Sequence, residues 1–143
     1  MADVETNGPF SIFPGLTRIL TVVQGSGLRL NYPGGSFDAL FGVPVRFDGA
    51  LPIQSELIGG RVVDLNVMFD EKLCHAGVTL AQAPTTPRAN GVTAIIGISG
   101  ICTVNRIHDL EFGDTALIEN ESADIVFSTK GVALAVSLNL RNK

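Results

Sequence analysis

Three polar side chains in a largely apolar chain could do chemistry: Arg18, Asp64 and Asn66. Asp64 and Asn66 interrupt the apolar run VVDLNVMF at residues 62–69. In a strand, side chains two apart point the same way, so this pair shares one face while Val63, Leu65 and Val67 take the other. A polar pair turned into a β interior is costly unless it is hydrogen-bonded, either by a ligand or by another side chain. Arg18 is the candidate for holding a ligand, because a guanidinium grips a carboxylate through two parallel charge-assisted hydrogen bonds. Two other roles for Arg18 stay open from the residues alone: pairing with a core carboxylate such as Asp64, or meeting carbonyls at a strand end. Phe10, Phe13, Phe47 and Phe69 could wall a pocket, although the commoner place for phenylalanine in a small β protein is the core.

The other reactive residues do not assemble into a site. His75 follows Cys74, and adjacent strand residues point to opposite faces, which argues against a nucleophile dyad. His108, Asp109 and Glu111 precede a Gly113 turn and read as a solvated polar loop rather than acid–base machinery. These two histidines lie far apart in the chain, no Cys/His/carboxylate set has ligand spacing, and no metal or other cofactor is expected. Phosphate-loop, serine-elbow and cysteine-nucleophile signatures are missing, so the chain advertises no enzyme. Cys74 and Cys102 sit in apolar surroundings and read as two buried thiols, with a disulfide as the alternative.

The elements that must position these residues are short β-branched runs between Gly, Pro, Asn and Asp turn signals, with 16 glycines in 143 residues. That pattern belongs to an all-β sandwich or barrel. Strands are expected at residues 19–23, 28–31, 43–47, 53–57, 62–69, 76–80, 93–98, 101–104, 115–119, 124–128 and 132–138, with no helix. The stretch AQAPTTPRANG at residues 81–91 reads as a linker between a first β unit, residues 1–80, and a second, residues 92–143. The halves resemble each other at an offset of about 71 to 75 residues. ILTVVQGSGLRL matches AIIGISGICTV, Phe41-Gly42 matches Phe112-Gly113, and DLNV matches SLNL, which places Asn66 opposite Asn139.

A chain of this length with 45% hydrophobic residues can build its own core. Its net charge of −4 and pI near 5.0, without a basic run, provide no electrostatic footprint for nucleic acid or an anionic membrane. The N-terminus lacks a basic region followed by an apolar run, and no apolar stretch approaches about 18 residues. A soluble, cytoplasmic protein is expected.

Residues 7–25, NGPFSIFPGLTRILTVVQG, followed by a strand-like segment at 52–57 and by GGRVVDLNVMF at 59–69, resemble the HutD/Ves family of cupin-like bacterial proteins. There a glycine turn precedes Asp, a large apolar residue, Asn, an apolar residue and Met, here Asp64, Leu65, Asn66, Val67 and Met68. The resemblance implies a cupin-like double-stranded β-helix, or jelly roll, as a compact bicupin of two duplicated β units. The LEFGDTALIE segment at 110–119 is similar to the cupin Gly-Asp turn, with Gly113 at a positive φ. Against the cupin metal pattern, the glutamate position seven residues before Gly25 holds Arg18. The histidine pair falls among Ser11, Ile12, Phe13 and Pro14, and the second-motif histidine falls near Asp124.

What the family implies for function is a non-enzymatic binder of a small acidic metabolite resembling formylglutamate or urocanate, with a regulatory role. Arg18, Asp64 and Asn66 would form the pocket, and Phe10, Ser11, Phe13, Pro14 and Gly15 its rim. Two alternatives are a structural β scaffold with a degenerate site and a metal-free cupin isomerase or lyase using Arg18, Asp64 or His108. Family members usually carry a Trp-containing N-terminal segment that is not seen here, and an unpaired β edge invites a homodimer. Where the family often continues Thr-Arg, this chain has Phe69, Asp70 and Glu71.

Overall fold

The computed structural model describes residues 1–87 and 91–141. Among them the regular elements are all β-strands, with no helix. The chain divides into two compact units, Met1–Glu71 and Lys72–Lys143. Unit 1 holds β1 (Ala2–Val4), β2 (Gly8–Pro9), β3 (Thr17–Gln24), β4 (Gly27–Tyr32), β5 (Gly35–Leu40), β6 (Val45–Asp48), β7 (Gln54–Ile58) and β8 (Val62–Phe69). Unit 2 holds β9 (Cys74–Ala81), β10 (Val92–Ser99), β11 (Cys102–Val104), β12 (His108–Leu110), β13 (Thr115–Glu119), β14 (Ile125–Phe127) and β15 (Val132–Leu140).

Each unit contains two antiparallel sheets of matching strand order. Unit 1 has β1-β8-β3-β6 and β2-β7-β4-β5; unit 2 has β9-β15-β10-β13 and β12-β11-β14. Where β2 pairs with β7 through Gly8 and Ser55, unit 2 has a bridge between Thr85 and Ile125. The central strands even carry their irregularity at the same place, β3 between Val22 and Gln24 and β10 between Gly97 and Ser99. One extra residue in one strand sharpens the local twist, so a bulge kept in both halves gives both jelly rolls the same bend. The chain is thus a duplicated cupin-like jelly roll.

Alternation along β3 and β8 builds the unit 1 interior. Leu20 and Val22 are fully buried with Leu28, Leu30 and Val62, and burying such a side chain contributes about 1.5–3 kcal/mol. Antiparallel register sets Arg18 opposite Met68, Leu20 opposite Asn66 and Val22 opposite Asp64. The polar triad therefore lies on the same sheet face as the core leucine and valine.

The hairpin from β3 to β4 turns at Gly25, whose φ of +89° favours glycine. A Cβ there would stand 2.5 Å from the Arg61 carbonyl oxygen and 2.9 Å from Val62 Cγ1. Gly25→Ala should cost about 2–4 kcal/mol by combining backbone strain with overpacking, read as a fall in the denaturation midpoint. An unchanged midpoint would contradict this account of the turn.

Three expectations need correction. The stretch at 81–91 does not separate the units, because β9 pairs with β15 across Cys74–Ala81 and the unit boundary falls at Glu71 and Lys72. Of that stretch, residues 88–90 lie outside the described residues. Asn139 is not the counterpart of Asn66: with the bulges superposed, the positions of Arg18, Asn66 and Asp64 are taken by Thr93, Ala135 and Ala133, and Asn139 pairs with His75. The segment around His108 is strand β12, opposite Val104 of β11, rather than loop. Gly113 does adopt a positive φ, +84°.

Candidate functional site

Arg18, at 5% exposure, enters the unit 1 interior from β3. Its Nε donates to Asn66 Oδ1 at 3.3 Å, its Nη2 to the same oxygen at 2.7 Å, and its Nη1 to the Ser11 carbonyl at 3.2 Å. Only the amide oxygen of Asn66 can accept from a guanidinium, which orients the amide and turns its nitrogen toward Asp64. Accordingly Asn66 Nδ2 donates to Asp64 Oδ1 at 2.6 Å. Arg18 and Asp64 are thus linked through Asn66, a relay that alternation on β8 and register with β3 jointly produce.

Aromatic faces surround the cation. Arg18 Cζ lies 5.1 Å from the ring centre of Phe10, 5.5 Å from Phe13 and 5.1 Å from Phe47. Attraction to a ring face contributes about 0.5–2 kcal/mol, more as water is excluded, and offsets part of the desolvation of the guanidinium. Phe10 and Phe13 sit on the loop before β3, which main-chain bonds fasten: Phe10 N to Ile53 O at 2.9 Å, Phe13 N to Gly49 O at 2.7 Å, and Gly49 N back to Leu16 O at 2.7 Å. Gly49 permits this approach, since a Cβ would meet the Phe13 carbonyl oxygen at 2.4 Å.

Phe10, Ser11, Phe13, Arg18, Asp64 and Asn66 line a pocket of about 450 Å³ that also reaches Val4, Pro9 and Met68. A guanidinium has five N–H groups, and three are engaged. One N–H on each of Nη1 and Nη2 has no protein partner among the described residues. Burial lowers the Arg18 pKa, against the pull of Asp64. Burial likewise pushes Asp64, 1% exposed, up to about 6, opposed by the Arg18 charge, the Asn66 hydrogen bond and the chain amino terminus.

The structure brings Phe10, Phe13, Arg18, Asp64 and Asn66 together at this pocket, with Ser11 contributing its main-chain carbonyl. Phe47 joins them through its ring face, whereas Phe69, one residue beyond Met68, packs against Arg46. Pro14 and Gly15 form the turn that follows and do not line the pocket. Met68 was legible from the same period of two that pairs Asp64 with Asn66; Val4 and Pro9 carry no such signal. Glu71 accepts from Thr17 Oγ1 at 2.7 Å and pairs with Arg46, so it supplies a strand-end contact rather than a pocket wall.

The remaining candidates lie elsewhere. His75 Nδ1 meets Arg141 Nη2 at 3.3 Å, and Asp124 Oδ1 accepts from Thr86 Oγ1 at 3.1 Å. Cys102 is buried, with its pKa raised by burial, whereas Cys74 is only half-buried. The corresponding pocket of unit 2, about 350 Å³, is lined by Thr79, Gln82, Thr85 and Ala135 among others, with no charged side chain among the described residues.

Two duplicated jelly rolls, one with the Arg18, Asn66 and Asp64 triad and one with Thr93, Ala135 and Ala133 at those positions, define a cupin-like double-barrel protein. The chain belongs to the HutD family, whose profile matches residues 1–135. It is 37% identical over 75 residues to the "uncharacterized 21.2 kDa protein in hutC 3'region" of Pseudomonas putida, covering 48% of this chain and 37% of that protein. It is 32% identical over 109 residues to protein Ves of Cronobacter sakazakii, covering 73% and 59% respectively. The chain therefore spans less than two thirds of the length of these curated relatives. Among solved structures it is similar to HutD from Pseudomonas fluorescens SBW25, with a TM-score of 0.86 and 21% identity over 98% of this chain and 77% of that one. It is also similar to a cupin 2 conserved barrel domain protein from Leptotrichia buccalis, with a TM-score of 0.54 and 9% identity over 96% and 81%.

Proposed function

We infer that this protein binds a small carboxylate-bearing metabolite in the unit 1 pocket, with Arg18 as the anion-holding group. The observation that supports this reading is the pair of unengaged N–H groups on the two terminal nitrogens of a buried, aromatic-walled guanidinium. Two such donors suit the two oxygens of a carboxylate, and the rings suit its apolar body. Family likeness and the hutC-adjacent relative direct the choice of acid toward histidine breakdown, with formylglutamate and urocanate first.

A panel of formylglutamate, urocanate, glutamate and related acids tests this reading by thermal shift and calorimetry. A ligand of the native state at 100 times its Kd stabilises it by about 2.7 kcal/mol. One site per chain is expected, because unit 2 has Thr93, Ala133 and Ala135 in place of the triad. A flat response across the panel would favour a β scaffold with a degenerate site.

The raised pKa of Asp64 beside the pocket also supports a second reading, metal-free proton transfer on a bound acid. In deuterated buffer a catalyst would exchange carbon-bound protons of the acid, visible by proton NMR. A pure binder would leave them unchanged.

A further inference from the structure

We propose that Asp64 takes up a proton from solvent when a carboxylate seats on Arg18, so that the pocket binds an acid anion together with one proton. This rests on the reading of Arg18 as the anion-holding group. The interior of unit 1 has one buried guanidinium and one buried carboxyl group, Arg18 and Asp64, with the Asn66 amide between them at 2.7 and 2.6 Å. Asp64 is 1% exposed and accepts its side-chain hydrogen bond from Asn66, so little water screens it. The charged groups acting on it are Arg18 from β3 and the amino terminus preceding β1; its own strand β8 contributes the neutral Asn66.

In the empty pocket the Arg18 charge is balanced by Asp64. An anionic ligand makes the second negative charge against a single buried cation, and two carboxylates sharing one site raise the pKa of one of them. Asp64 is the group that responds, since burial has already brought it to about 6 and the ligand draws on the charge that opposed this rise. Protonation leaves the Asn66 bond possible, because the carbonyl oxygen of a protonated carboxyl still accepts from Nδ2. The ligand remains anionic, Arg18 remains cationic, and the proton on Asp64 restores the charge balance. Proton uptake implies affinity that strengthens as pH falls toward about 6, by at most tenfold per pH unit.

The test uses the whole chain and sodium formate, a carboxylate simple enough to add to saturation, with sodium chloride at equal ionic strength as the control. The ¹³C carboxyl resonance of Asp64 is titrated with pH in each salt, while the Arg18 Nε–H resonance reports occupancy. An Asp64 midpoint about one unit or more higher in formate than in chloride is the expected result. A perturbed Arg18 resonance with an unmoved Asp64 midpoint would overturn the proton linkage and leave carboxylate binding standing. An unperturbed Arg18 resonance at saturating formate would overturn both. In Asp64→Asn, formate affinity should lose its dependence on pH between about 6 and 8; a dependence retained there would assign the proton to another group.

Discussion

Arg18→Ala is expected to weaken carboxylate binding by at least about 100-fold and to destabilise unit 1 at the same time. Truncating one partner of a buried charge-assisted pair costs about 2–5 kcal/mol of affinity, and here the substitution removes both unengaged N–H groups together. The stability loss has two parts. About 2 kcal/mol follows from emptying the space enclosed by Phe10, Phe13 and Phe47. The other part is Asp64, left buried without its nearby cation, which would approach about 3–5 kcal/mol if the carboxylate had to stay ionised.

Asp64 escapes much of that second cost by taking a proton, because Arg18 is the largest influence holding its pKa down toward 6. The variant should therefore be closer to wild-type stability at about pH 5 than at about pH 8. Arg18→Lys keeps the charge but not the fork, so it should retain charge compensation while losing most of the affinity. Urea denaturation at both pH values, beside calorimetric titration with the panel acids, reads both effects. Equal affinity in wild type and Arg18→Ala would end the carboxylate reading.

The second large effect concerns how stability varies with pH. The Asp64 pKa in the folded protein is about 6 against an ordinary 3.8, so between those values the native state holds a proton that the unfolded chain has released. Its stabilising contribution is complete below about 3.8, declines as pH rises through the window, and is gone above about 6. The span corresponds to about 3 kcal/mol.

Asp64→Asn removes that dependence while its amide oxygen can still accept from Asn66 Nδ2. Below about pH 6 the wild-type Asp64 is itself protonated, so the neutral amide removes a counter-charge of Arg18 only above that pH. What changes with pH is the difference between the proteins: the variant should gain about 3 kcal/mol relative to wild type between about pH 3.5 and pH 7. Parallel stability curves for the two proteins across that range would show that Asp64 titrates normally.

Much of the fold and part of the site were legible without coordinates. Alternating apolar residues, turn glycines and the repeated ILTVVQG-like segment specify an all-β duplicated chain, because local backbone preference and periodic burial act over a few residues. The same period of two places Asp64, Asn66 and Met68 on one face of β8, as the structure shows. Strand β5, which opens at a Pro-Gly-Gly turn, and the Asp- and His-bearing β12 were missed, because turn-forming residues conceal strands that pair with β4 and β11. Residues 81–91 look like a linker by composition, yet β9 belongs to β15, more than 50 residues away.

The alignment of Asn66 with Asn139 failed for a related reason. Similar residue types suggested it, but pairing register is measured from the bulges in β3 and β10, which no local pattern marks. Thus the chain by itself determined which side chains share a strand face and that two like units follow one another, since both depend on neighbouring residues. The tertiary structure decided that Arg18 meets Asn66 rather than Asp64, that three phenylalanines enclose it, and that unit 2 lacks the triad. Those facts depend on cross-strand register and loop anchoring between residues dozens of positions apart.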